Sequence, residues 1–463
     1  MTPHPSPEDR RQPGGAARTR ALLGAICFTS GALTLVIEVA GNRLLAPLFG
    51  NSLSTWTALI GVILVAISAG DFLGGVLVDR APRLPPLGYL LLAAAGWTFL
   101  VPVIHARLLA PTAPAWSIDG PVVASLALFA IPACLLAAAG PFVIRLLSRT
   151  GDDHAIGLSA GVVGMLTTLG SFSSTFLTGF YLIPTFGVRA IFLMAGTVAA
   201  VLGAAVLAWS RAERRPAAGV ALAAVGLLGA LNVLGMPPRP AHVIHERQTF
   251  YHDLRVEEST TEHGERIRSL RLDTTLEGGQ YVETGGIFMT CNLYWRLAEV
   301  FAPRIDRALF LGGGGFAMPE DCSRRHPQAR VDVVEIDPVV IDVGRRYFRL
   351  AEFAAVTPFA ADARRFLRDH DTRYDLIFGD AYQGVRNIPA HLVTAEFFAL
   401  VRARLAPEGL FMANIISPAT GDHAQLFRAI LRTVRTQFAH ADVYSVDPAD
   451  TGRSHYLIIV ARE

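Results

Sequence analysis

The chain has 463 residues, 52% of them hydrophobic and 17% charged, with a formal net charge of +2. That is too apolar for an ordinary soluble protein and too polar for one wholly embedded in lipid, so a membrane part joined to a soluble part is expected. All 41 basic residues are arginine; without lysine, Walker-type nucleotide hydrolysis and pyridoxal phosphate chemistry are excluded. Cys27, Cys134, Cys291 and Cys322 are far apart and form no CxxC pair, and there is no HExxH. Neither a zinc site nor a disulfide framework is expected, and no metal.

Charge divides the chain. Residues 1–241 hold 15 arginines and 9 acids, and residues 242–463 hold 26 arginines and 30 acids. The second half is mildly acidic, which argues against a nucleic-acid partner. Residues 1–20 are polar and read as a disordered tail. Apolar runs of spanning length then recur at about 21–40, 55–78, 86–106, 121–144, 156–184, 187–209 and 217–235. Each approaches the roughly 20 residues a membrane helix needs. The region 21–240 is therefore read as six or seven transmembrane helices, the seventh being rich in alanine and glycine. Arginine alternates between connections, and the positive-inside rule puts the N-terminus and the 211–215 turn in the cytoplasm. If 217–235 also crosses, everything after it lies outside. The expectation taken here is a multi-pass inner-membrane protein with a cytoplasmic C-terminal domain. Glu38, Arg43 and Asp71 lie in or near apolar helices, where charge defaults to a functional hypothesis.

Beyond residue 241 the apolar runs shrink to strand length. DLRVEES, RIRSLRLD and GGQYVET predict a small antiparallel β region over 241–290. RALFLGGGG (307–315), VDVVEID (331–337), YDLIFGD (374–380), LFMANI (410–415), ADVYSV (441–446) and HYLIIVA (455–461) read as buried strands. Helical patterns at Pro338–Arg349, Thr394–Leu405 and His423–Gln437 lie between them. Alternation of this kind predicts a doubly wound, Rossmann-like α/β sheet over 291–463.

The chemistry gathers at strand ends. Gly312, Gly313 and Gly314, with Ala317, make a GxGxxA turn that admits close backbone approach and opens a helix. Glu335 ends the second strand, where a carboxylate can accept ribose hydroxyls. Asp362 follows a short third strand, beside Ala363, and can receive an adenine amine or cap a helix. Asp380 follows the fourth strand, in the crevice at the carboxyl ends of the strands. A carboxylate there can take a proton from an attacking amine or hold a cation.

RALFLGGGG, VDVVEIDP, ADARRFL and YDLIFGDAY, followed by HLVTAEFFALVRARLAPEG, resemble the spermidine synthase family of aminopropyltransferases. The helical half resembles the membrane region of the family's fused members. Its GGVLVDRAPR (Gly74, Asp79, Arg80) is similar to a cytoplasmic loop motif of major facilitator transporters. The resemblance implies an S-adenosylmethionine-dependent methyltransferase fold. It also implies transfer of an aminopropyl group from decarboxylated S-adenosylmethionine to a diamine such as putrescine. Gly312, Gly313, Gly314, Glu335, Asp362 and Ala363 would bind the nucleoside. Asp380 would deprotonate the amine, and Tyr294, Tyr382 and Gln383 would line the substrate pocket, although Tyr294 reads equally as a packed aromatic. The implied partners are a small amine and the lipid bilayer, with a homodimer left open.

Two positions depart from the family. Its glycine turn reads GGGDGG, with an aspartate for the donor's ammonium, where this chain has Gly315. Its loop after the fourth strand carries a second acid, where this chain has Gln383. Glu277, Glu283, Glu320 and Asp321 are substitutes by sequence position only. Two alternatives stay open: an S-adenosylmethionine-dependent methyltransferase on the same fold, and a transport or sensing protein that binds nucleoside or polyamine without chemistry.

Overall fold

The computed structural model describes residues 13–50, 53–109, 119–148, 156–210, 216–234, 240–273, 275–302, 304–381, 388–446, 452 and 454–463. The chain divides into two compact units, Met1–Pro238 and Arg239–Glu463.

The first unit is helical. Among the described residues, five helices are long and apolar enough to cross a membrane: Ala17–Phe49, Leu53–Arg80, Leu84–Arg107, Gly120–Ser148 and Ile156–Trp209. The fifth contains two of the runs expected from sequence. They are separated at Gly187, whose φ of 76° leaves the helical region. The final run forms the helix Pro216–Leu234. The first helix begins at Pro13, inside the stretch expected to be a disordered tail, and residues 1–12 lie outside the described residues. Leu64, Val65, Phe72 and Phe180 are exposed on these helices. Helix packing is close where side chains are small. A Cβ on Gly70 would lie 2.2 Å from the Cys134 carbonyl oxygen, and one on Gly74 would lie 2.5 Å from that of Ala138. The Gly70-xxx-Gly74 spacing puts two small residues on one helix face, which lets the backbones approach closely. Arg189 donates to the Asn232 carbonyl at 2.7 Å, and Asn232 donates to that of Phe99 at 2.7 Å, which fixes the end of the last helix.

The second unit begins with an antiparallel meander, β1 (Val243–Gln248), β2 (Asp253–Thr260), β3 (Arg266–Leu272) and β4 (Thr275–Tyr281). A seven-stranded sheet follows, with β5 (Arg307–Leu311), β6 (Arg330–Glu335), β7 (Val356–Ala360), β8 (Tyr374–Gly379), β9 (Leu405–Ser417), β10 (His440–Ser445) and β11 (His455–Arg462). Its spatial order is β10-β11-β9-β8-β5-β6-β7. β5 through β9 run parallel, and β11 pairs antiparallel with both β9 and β10. Ala308 to Leu311 are all buried, the continuous apolar run of a strand covered on both faces. Asp337 caps the helix Pro338–Tyr347 by accepting from Val339 N–H at 2.9 Å, and proline suits its first position because that N–H would be unpaired anyway. Thr394 caps Ala395–Ala403 in the same way. Strand order reverses between β5 and β8, and the crevice beyond their carboxyl ends is where open α/β sheets bind ligands.

Candidate functional site

The glycine turn lies in that crevice. Gly312 has φ +107°, and a Cβ there would come within 2.5 Å of the Asp380 carbonyl oxygen. Only glycine permits both the conformation and the contact. Gly312 N–H donates to the Val334 carbonyl at 2.9 Å, and Asp380 N–H donates to that of Leu311 at 2.9 Å. The turn is thereby stitched to β6 on one side and Asp380 on the other. Phe316, buried with φ 60°, opens the helix Ala317–Arg325.

Glu335 is buried at the end of β6. One oxygen accepts from Gly313 N–H and the other from Asp337 N–H, both at 2.9 Å. Burial raises its pKa, making it a weaker acid, even against these two donors. The carboxylate expected to meet a ribose therefore also holds the turn in shape, and each oxygen keeps a second lone pair for a hydroxyl. Asp362 caps the helix Ala363–Asp369 by accepting from Arg365 N–H at 2.8 Å, and its other oxygen meets His391 Nε2 at 2.8 Å. Both of its oxygens already have partners within the fold, so the capping role is present whatever Asp362 does toward a nucleobase. Ala363 is buried at the first helical position.

Asp380 is half-buried. Its Oδ1 accepts from Asn414 Nδ2 at 3.0 Å, and burial pushes its carboxyl up to about 6 despite that bond. Glu277, on β4, is pushed further, to about 8, by burial and then by the negative charge of Asp380. His252 is drawn toward the same region. Burial lowers its basicity, but its bond to Asp273 at 3.2 Å and the charges of Asp273, Glu335 and Asp337 raise it overall. Beyond Asn414 an apolar pocket opens, lined among others by Leu311, Ala381, Ile388, Leu392 and Phe398.

Tyr294 packs edge-on to Tyr456 of β11 with ring centroids 5.5 Å apart. Cys291 hydrogen-bonds to Tyr456, and the Asp380 charge acts on both. Tyr294 was named from sequence, and this packing fits either of its two readings; Asn414, Tyr456 and His252 were not named, because segments distant in sequence bring them in. Glu277 had been named by position alone. Glu283, another proposed substitute, instead pairs with Arg266 at 2.9 Å on an exposed edge. Asp321 is committed to a two-bond pair with Arg296, each bond 2.8 Å, and to Trp295. Glu320 is fully buried against Gln280. Tyr382 and Gln383 lie outside the described residues.

Residues 296–449 match the Spermine/spermidine synthase domain family. A polyamine aminopropyltransferase of Vibrio vulnificus is 30% identical over 186 residues, 38% of this chain and 60% of that protein. Polyamine aminopropyltransferase 1 of Streptomyces coelicolor is 26% identical over 472 aligned positions, covering 95% of this chain and 83% of that protein. The chain thus spans less than two thirds of the Vibrio relative but most of the Streptomyces one. A crystal structure of a probable spermidine synthase from Corynebacterium glutamicum aligns with TM-score 0.40 and 22% identity, over 45% of this chain and 77% of that one. The C-terminal half of this protein carries a spermine/spermidine synthase domain and is homologous to the polyamine aminopropyltransferases.

Proposed function

We propose that this protein is a membrane-bound aminopropyltransferase that uses decarboxylated S-adenosylmethionine and a small diamine of the putrescine class. The observation that carries the reading is the placement of Asp380. It stands against the glycine turn at the strand-order switch, with a carboxyl that burial pushes up to about 6. In the reaction, the neutral amine nitrogen attacks the methylene carbon beside the sulfonium. A C–N bond forms, and the C–S electron pair goes to sulfur, leaving neutral methylthioadenosine. The new secondary ammonium loses its proton to the Asp380 carboxylate, which passes it to water. The chain's contribution is orientation of the two reactants and removal of the proton. Glu335 and the glycine turn hold the nucleoside, and Tyr294 and Tyr456 form an aromatic wall beside the acids.

The apolar helices support a location in the bilayer, and we place the C-terminal domain on the cytoplasmic side, where its cosubstrate class is made. Alkaline phosphatase fused after Glu463 should be inactive; activity there would reverse this orientation. For the chemistry, detergent-purified protein is incubated with decarboxylated S-adenosylmethionine and a panel of diamines. Methylthioadenosine and a longer polyamine should appear in equal amounts. A methyltransferase is the second reading, favoured by the bare backbone at Gly315. Methylation of an acceptor by S-adenosylmethionine, with no methylthioadenosine from the decarboxylated donor, would establish it instead.

A further inference from the structure

The family's ammonium-binding aspartate has no counterpart at Gly315, yet the fold brings another carboxylate to the same turn. In the β3–β4 pairing, Leu270 faces Gly278 and Arg271 faces Leu276. Glu277 is the extra residue of a β-bulge, a device that re-aims a side chain. Its backbone and Cβ lie against the glycine turn. A Cβ on Gly314 would lie 3.0 Å from the Glu277 carbonyl oxygen and 3.8 Å from its Cβ. The adjacent Gly278 packs on Gly315, with a virtual Cβ 3.0 Å from Gly315 N.

A second observation at this contact is independent of the acids. Asn292 is 5% exposed, and its Oδ1 has no hydrogen-bond partner. That oxygen lies 4.0 Å from the same virtual Cβ of Gly278. A buried acceptor without a donor is costly to leave unmade. It borders the one position in the turn that lacks the family's side chain. A primary ammonium brings three N–H donors and a positive charge. Glu277, Asp380 and Asn292 Oδ1 supply two anionic acceptors and one neutral acceptor around it. His252 does not replace that cation, because its ring is held by Asp273.

We propose that Glu277, with Asp380 and Asn292 Oδ1, receives the ammonium group of the aminopropyl donor, in place of the carboxylate absent at Gly315. This rests on the reading of the site as an aminopropyl-donor site. Full-length protein in detergent is titrated with decarboxylated S-adenosylmethionine and with the dimethylsulfonium analogue of 5′-deoxyadenosine, which keeps the sulfonium but has no ammonium arm. The wild type should bind the donor at least tenfold more tightly than the analogue. E277Q should lose most of that preference while binding the analogue as before, which also shows that it is folded. Gly315→Asp added to E277Q should restore the preference. A Cβ there meets Gly278 at an ordinary 3.4 Å and φ is not positive. An unchanged preference in E277Q, or no preference in the wild type, overturns the assignment. Methylthioadenosine formation by the wild type judges the proposed reaction separately, so the two readings can fail independently.

Discussion

The two ends of the crevice are built differently. At the nucleoside end, the carboxylate of Glu335 is tied by two backbone N–H groups and shapes the turn it serves. At the amine end, Asp380 has a side-chain donor in Asn414, while Glu277 meets its charge across the site. The first end is satisfied by the fold. The second keeps two acids half-buried and close, an arrangement that is unfavourable until a cation arrives. The difference teaches where the fold has been shaped for stability and where for a ligand.

The sharpest way to break this contrast is Asp380→Asn. Turnover should fall by about 10²–10⁴-fold, the usual contribution of a positioned base, while methylthioadenosine binding stays within about threefold. Loss of both together would mean that Asp380 builds the turn rather than serving the amine. Glu335→Ala should show the reverse pattern. It leaves two buried N–H groups without acceptors at about 1–3 kcal/mol each, so nucleoside binding falls steeply and the thermal transition drops. Retained nucleoside binding in that variant would dissolve the distinction between the two ends.

Much of the nucleoside end was legible in the sequence, because its signals are local. The glycine turn follows, and Glu335 closes, a strand of mostly buried apolar residues, and β5, β6 and β8 lie on those runs, whereas β7, ahead of Asp362, is short and only partly buried. Asp362 also showed the helix-capping role its position implied. The amine end was not legible in the same way. Asn414 comes from β9, Tyr456 from β11 and His252 from the β1–β2 turn, and only tertiary pairing brings them together. A bulge leaves no single-residue mark, so nothing in TLEGGQY announces that Glu277 is the extra residue of one. In the helical unit, hydropathy located the apolar helices. It did not find that helix begins at Pro13, because Pro-Gly-Gly has poor intrinsic propensity and only the run after it continues the helix.

Acidity gives a further test. Asp380 must be ionised to take a proton, so turnover should decline as pH falls through about 6. Enough neutral amine must also be present, so the alkaline side should rise further. A flat profile between pH 5 and 7, with chemistry shown to limit the rate, would remove Asp380 as the base.

The smallest effect concerns stability and bears most directly on the unpaired acids. Asp380 at about 6 and Glu277 at about 8 both lie above ordinary carboxyls near 4. Between the unfolded and folded values the native state holds the extra protons. Stability is therefore full below about 4 and is lost as pH rises toward 8. This holds for these two groups alone, and other carboxylates contribute with the opposite sign at acid pH. Replacing either by its amide removes the loss, so D380N and E277Q should melt higher than wild type at pH 8 and level with it at pH 5. The gain should be a few degrees, since about 1 kcal/mol moves Tm by roughly 2–4 °C in a unit of this size. Saturating decarboxylated S-adenosylmethionine should reverse the order at pH 8, because the wild-type carboxylates then meet the ammonium while the amides cannot. Variants that melt lower than wild type without ligand would show that the two acids are already satisfied within the fold, and the contrast between the two ends would be lost.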